Sequence, residues 1–286
     1  MLKNLIFRWV TRLFLPDLAK QMEREGTLAV DGAAEQAPPY VQVEDHGGDV
    51  TLFCFSGMAV LFAGLPSFEF RKLLSKHALK YNLVFFRDIH RLGYQATPDG
   101  QPGGVAFYEA KARELMDQLG ARYNVALGSS GGGSASIYFG TACQMDQVIA
   151  FSPVLTSDAW PVFRTQWRAY LDLPKLFTRP SEYLEVALVA LSSLYVTRKI
   201  HKFAGDNVWQ VLDTFRNPPG KRPQTTIFYG ERCYPDAQQR LLLEDLPEVQ
   251  HIAVPTGRHN CPGYLKAQGT LGDTILDLIA KGSQAS

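Results

Sequence analysis

The sequence predicts an α/β fold built on a mostly parallel central sheet with helices on both faces. Three observations carry this prediction. Short apolar runs at Thr51–Phe55, Leu83–Phe86, Val125–Leu127, Val148–Phe151, Thr225–Tyr229 and Val249–Val254 alternate with longer helical segments, the rhythm of parallel strands joined by crossover helices. Loop and turn residues at Gly64–Pro66, Thr97–Gly104, Gly120 and Asn217–Pro223 punctuate that alternation. At 286 residues of ordinary hydrophobic content, the chain can bury one sizeable core.

Helices are expected over Ser67–Tyr81, where Phe68, Phe70, Leu73, Leu74, His77 and Leu79 supply the apolar positions, and over Tyr108–Leu119 and Ser134–Thr141. The stretch Val154–Gly220 breaks the rhythm, because it is too long for one crossover helix and dense in aromatic and aliphatic residues. It is expected to be an inserted helical cap. The organisation is then an amphipathic helix and linker over residues 1–39, a core over 40–153 and 221–286, and a cap over 154–220. No internal repeat or low-complexity tract interrupts this order.

At the N-terminus, Leu2, Leu5, Ile6, Trp9, Val10 and Leu13 recur at helical spacing, with Lys3, Arg8 and Arg12 on other faces. The charges inside the run and the lack of a small-residue cleavage site argue against a secretory signal, and no run reaches the length of a transmembrane span. Two readings stay open: a helix docked on the core, or residues 1–15 lying as an interfacial helix on an anionic leaflet. Glu23–Pro39, rich in Gly, Ala and Pro, reads as the linker that follows.

Lys and Arg number 29 against 28 Asp and Glu, so the net charge of +1 gives no field that would hold nucleic acid. The four cysteines, Cys54, Cys143, Cys233 and Cys261, form no CxxC pair, which signals neither a zinc site nor a dense disulfide framework and points to a reducing, cytoplasmic setting. A bridge between Cys233 and Cys261 stays open, since both fall in loops assigned below to the reacting groups.

The segment Val125-Ala126-Leu127-Gly128-Ser129-Ser130-Gly131-Gly132 is a short apolar strand running into GxSxG, followed by a small-residue helix through Ala135 and Ile137. A sharp strand-to-helix turn of this kind needs glycines where a Cβ would clash, exposes the Ser130 hydroxyl, and sets the positive end of a helix beside it. A phosphate cradle is the rival reading, but GSSGGG matches neither GxGxxG nor the P-loop with its Lys. A plain Gly/Ser turn is the other.

From about Val50 to Ile279 the chain resembles the α/β-hydrolase superfamily, whose members place an acid after a later strand and a histidine after the last one. The resemblance implies Ser130 as nucleophile and His259, in the loop after Val249–Val254, as general base; His251 lies within that strand run and reads as a packed or surface residue. The acid is open between Asp236 and Glu231, with Asp158 a further candidate, because Cys233 stands where the family commonly has Asp. For the oxyanion the resemblance implies backbone N–H groups of Gly131 and of Met58, with Ser56-Gly57 standing where many members have His-Gly.

Within the cap, Trp160, Phe163 and Trp167 are the candidate substrate-binding residues lining an acyl pocket, or else the cap's own core. Arg198, Lys199, His201 and Lys202 form a basic cluster, and Arg87-Asp88 reads as a structural brace beside the site. The expected activity is cleavage of a carboxylic ester or thioester, on a small-molecule or lipid-like substrate, through a covalent acyl-enzyme that needs no metal or organic cofactor. Transfer of the acyl group to an alcohol, amine or sugar by the same residues is the nearest alternative, and a non-catalytic binding protein on the same fold is a third.

Overall fold

The computed structural model describes residues 39–57, 68–156, 173–205 and 208–285. Seven strands form one sheet: β1 (Val41–Glu44), β2 (Val50–Phe55), β3 (Asn82–Phe86), β4 (Tyr123–Ser129), β5 (Gln147–Phe151), β6 (Gln224–Gly230) and β7 (Val249–Val254), in the order β1-β3-β2-β4-β5-β6-β7. All neighbours are parallel except β1, which pairs antiparallel with β3 at one edge. Each of the six expected apolar runs lies in one of β2 to β7. The edge strand β1 was not anticipated: its four residues alternate apolar and polar, too short a pattern to stand out.

The central strands are buried on both faces, and residue parity decides which face each side chain joins. Phe53, Phe55, Val84, Phe86, Ala126, Val148 and Ala150 belong to one apolar cluster, while Leu52, Cys54, Leu83, Phe85, Val125, Leu127, Ile149 and Phe151 belong to the other. That is the period-2 geometry of a strand with cover on each side. Among the described residues, ten helical segments run between and beyond the strands: α1 (Arg71–Leu74), a 3-10 turn (Ser75–Lys80), α2 (Gly104–Leu119), α3 (Gly131–Ala142), α4 (Leu173–Thr178), α5 (Pro180–Ala204), α6 (Val211–Arg216), α7 (Tyr234–Leu241), α8 (Cys261–Ala267) and α9 (Leu271–Ala285). Tyr108, Ala112 and Leu115 of α2, Phe139 of α3 and Phe215 of α6 cover one face; Leu271, Ile275 and Ile279 of α9 cover the other.

Ser67–Tyr81 does not form the single helix its apolar spacing predicts. Phe70 takes a left-handed backbone with φ 62°, so α1 begins only at Arg71 and passes at Ser75 into the 3-10 turn. Tertiary packing overrides local periodicity: Phe68 lies under the Arg87 guanidinium, 4.5 Å from carbon to ring centre, and Phe70 packs on Phe151 at 6.0 Å. Asp88, read from the sequence with Arg87 as a structural ion pair bracing the loop, does brace it. It does so through the backbone, accepting from the N–H groups of Leu92 at 2.6 Å and Tyr94 at 3.1 Å.

Because β2, β4, β5, β6 and β7 run parallel, their C-terminal ends share one edge. Register pairs Phe55 with Gly128 and Ser129 with Phe151, and Phe151 with Phe228. The segments after these strands therefore converge, with Gly57, Ser130, Ser152 and His259 in turns or loops and Asp236 in the first turn of α7. Ligand sites of open α/β sheets lie at this edge.

Candidate active site

Ser130 occupies the turn between β4 and α3 with φ 53° and ψ −121°, a backbone that non-glycine residues rarely adopt. Its surroundings enforce it: the Ser130 N–H donates to Phe151 O at 2.8 Å, and Ser134 N–H donates to Ser130 O at 3.0 Å. Two glycines make the turn sterically feasible. A Cβ on Gly128 would stand 2.0 Å from Gly132 O, and one on Gly132 would stand 2.2 Å from Phe55 O. Helix α3 starts at Gly131, immediately after the serine, so its positive end faces the same space.

His259 lies in the loop between β7 and α8, and its Nε2 is 2.8 Å from Ser130 Oγ. Its Nδ1 is 2.7 Å from Asp236 Oδ1. The three groups therefore form one hydrogen-bonded chain from hydroxyl through imidazole to carboxylate. Asp236 sits in the first turn of α7, a correction to the expected loop: Pro235 at the start of the helix and Cys233 as its N-cap set the acid on the helix side facing His259. Its second oxygen is held as well, accepting from Ser152 Oγ at 2.7 Å and from Gly230 N–H at 3.1 Å. Glu231, the other acid weighed from the sequence, is exposed, and its backbone N–H goes to Val254 O at 2.9 Å.

Burial by itself disfavours the imidazolium of His259, but the Asp236 charge, its hydrogen bond and the Glu185 charge together raise the pKa above the ordinary histidine value. An imidazole held in this way keeps one ring nitrogen, Nε2, turned to Ser130 while Nδ1–H donates to Asp236. Ser152 was missed by sequence reasoning. It directly follows β5 with φ 46°, and its N–H donates to Phe228 O at 2.7 Å, a geometry with no local sequence signature.

Glu185 was also missed. It projects from α5 and accepts from the Asn260 N–H at 3.1 Å, next to His259, with Arg258 Nε 3.6 Å away. One turn earlier Glu182 pairs with Arg232 at 3.6 Å, and a Cβ on Gly257 would stand 2.1 Å from a Glu182 oxygen. The long helix thus ties down the segments that lead into Asp236 and His259. Glu185→Gln retains an acceptor for Asn260 but removes a charge that raises the His259 pKa. If His259 serves as a base in turnover it must be neutral to accept a proton, so kcat/KM would fall as pH drops through its pKa, and this variant is expected to move that acid limb to lower pH. A pH profile with the limb unmoved would show that Glu185 acts through shape alone.

Cys233 and Cys261 flank the acid as free, fully buried thiols. Cys261 Sγ lies 3.2 Å from Ser152 Oγ, and burial pushes its pKa up to about 12; burial raises Cys233 as well. Neither is a thiolate near neutrality, so neither is a ready nucleophile. Donor atoms of Cys233, Asp236 and His259 lie within 4.8 Å of one another, the donor types of a zinc site. Both Asp236 oxygens and both ring nitrogens already have protein partners.

On the oxyanion side, Gly131 N–H begins α3 and Gly57 follows β2 in register with the elbow. Met58, Asp158, Trp160, Phe163 and Trp167 lie outside the described residues, as do residues 1–15 and the linker up to residue 38. The Gly57 N–H donates to Glu69 Oε1 at 2.9 Å. Burial pushes the Glu69 carboxyl up to about 7, against the opposing pull of that N–H. His251 stands half-buried with its Nε2 3.5 Å from Leu243 O, apart from the Ser130 chain.

No protein-family model matches the chain, and no curated protein matches it in sequence. Solved structures do. MenH from S. aureus superposes with a TM-score of 0.54 at 10% identity, covering 85% of this chain and 99% of that one. A thermophilic esterase from Thermogutta terrifontis matches with a TM-score of 0.52 at 13% identity, covering 85% and 93%. Proline iminopeptidase from Mycobacterium smegmatis matches with a TM-score of 0.51 at 12% identity, covering 86% and 95%. The strand order, the parallel sheet and these likenesses together make this chain's fold that of the α/β-hydrolase superfamily.

Proposed function

We propose that the protein is a serine hydrolase that cleaves a carboxylic ester or thioester, with Ser130 as nucleophile, His259 as base and Asp236 as the orienting acid. The observation that carries this reading is the hydrogen-bonded chain Ser130–His259–Asp236, with legs of 2.8 and 2.7 Å, built on a strained elbow. Ser130 Oγ attacks the carbonyl carbon while its proton passes to His259 Nε2. The tetrahedral oxyanion faces the N-terminus of α3, where Gly131 supplies one donor. Collapse expels the alcohol or thiol with the proton from His259, leaving an acyl ester on Ser130. Water then gives a proton to His259 and attacks, and the acid departs as Ser130 regains its proton. Asp236 stabilises the cationic ring throughout and takes no proton.

Fold alone does not choose between water and another acceptor. A capsule O-acetyltransferase of Neisseria meningitidis serogroup A matches with a TM-score of 0.50 at 14% identity, covering 84% of this chain and 90% of that one. The experiment that tests the reading is a series of p-nitrophenyl esters of increasing acyl length. With an acyl pocket beneath the cap, kcat/KM is expected to rise about fourfold per methylene, from the roughly 0.8 kcal/mol that each buried methylene contributes, until the pocket is full. A strict acetyl preference would remove the pocket from the account. Transfer to an added alcohol or sugar outrunning hydrolysis would move the assignment to an acyltransferase.

A further inference from the structure

We propose that the outer face of α5 is a docking face for an anionic membrane surface. Leu184, Leu188, Leu191, Tyr195, Arg198 and Lys202 recur at intervals of three and four residues and so share one side of the helix. Leu191 is 61% and Tyr195 64% exposed, and Arg198 and Lys202 are exposed beyond them. The preceding α4 adds Leu173 at 55% and Phe177 at 82%. Five of the seven exposed large apolar side chains among the described residues fall in this one region, between 173 and 195. The opposite side of α5 is an ordinary core face, with Val186, Ala190, Val196 and Ile200 buried.

Charge identifies the occupant. The carboxylates of α5, Glu182 and Glu185, are turned to the histidine loop, so the outer face passes from leucines through a tyrosine to two cations without an acidic group. That gradient matches a lipid boundary, with acyl chains under the leucines, the tyrosine at the headgroup level and anionic headgroups against Arg198 and Lys202. A second copy of the chain would bring no carboxylate to those cations through the same face. No helix among the described residues is long and apolar enough to cross a membrane, so α5 would lie in the interface plane. The same helix holds the loop of His259, which puts that loop within about one helix diameter, roughly 10 Å, of the bilayer. Docking does not rest on the acyl-transfer chemistry; where both hold, the substrate class is an ester resident in the membrane interface.

The test is co-sedimentation of the full-length protein with phosphatidylglycerol-containing vesicles and with pure phosphatidylcholine vesicles. Binding is expected to the anionic vesicles and to weaken with salt. Arg198→Gln/Lys202→Gln should lower it roughly 30-fold, two cations at about 1 kcal/mol each, and Leu191→Glu/Tyr195→Glu should abolish it. Both pairs are exposed, so melting temperature and soluble-ester turnover should match wild type. Failure of wild type to bind, or equal binding by all variants, overturns the proposal. Loss only on deleting Met1–Leu15 would assign binding to the N-terminus instead. A dimer in solution that Leu191→Glu/Tyr195→Glu dissociates, without vesicle binding, would make the face an interface between copies.

Discussion

Asp236→Asn is expected to lower kcat by about four orders of magnitude while leaving the protein folded. Asp236 Oδ2 accepts from both Ser152 Oγ and Gly230 N–H, which fixes which end of a replacement amide points where. The asparagine oxygen must take that position, so its NH2 group faces His259 Nδ1. An NH2 group only donates. Nδ1 must then be the unprotonated nitrogen, the ring proton sits on Nε2, and Nε2 donates to Ser130 rather than accepting from it. The base is present in the right place in the wrong tautomer. Steady-state kinetics on a soluble ester, beside a thermal melt to establish folding, would measure this. Activity within tenfold of wild type would exclude Asp236 as the acid, and a crippled Glu231→Gln would then name the alternative.

Gly132→Ala is expected to damage both folding and activity, costing more than the roughly 1–3 kcal/mol usual for overpacking. Its Cβ would stand 2.2 Å from Phe55 O and 2.8 Å from Gly57 N, and both are backbone atoms of the neighbouring strand and loop. A flexible side chain could move aside, whereas these atoms are held by the pairing of β2 with β4. Relief requires α3 to shift away from β2, which would also displace Gly131 and the Ser130 turn. A urea or thermal melt with a lower midpoint, together with lost activity, would agree; a variant with unchanged midpoint would mean that the packing at the elbow is looser than this geometry.

The fold was legible because its strands are short apolar runs whose burial on both sides needs no long-range information to recognise. The Ser130 turn was legible for a related reason: Gly128, Ser130 and Gly132 lie within five residues, and the turn they form is local. His259 could be selected by its place after the last strand. The partner of His259 was harder to choose, since Cys233 occupies the customary acid position and Asp236 reaches the imidazole only because α7 turns it inward. Ser152 and Glu185 carry no local mark. They touch the acid and the histidine loop from 84 and 75 residues away, through sheet register and the seating of α5. Ser67–Tyr81 misled because its aromatic residues are spaced like a helix but anchored by Arg87 and Phe151. The C-terminal helix α9, by contrast, did carry a readable signal in Leu271, Ile275 and Ile279, spaced four residues apart.

Reaction of the folded protein with a fluorophosphonate, read by intact mass and peptide mapping, tests the central claim most directly. A serine activated by the His259–Asp236 pair forms a stable phosphonyl ester with loss of fluoride, and an unactivated hydroxyl does not. The account predicts one adduct, on Ser130, that Ser130→Ala abolishes, and that forms far more slowly in Asp236→Asn. Labelling that survives Ser130→Ala and disappears in Ser129→Ala, or a folded wild type that takes no label, would contradict it.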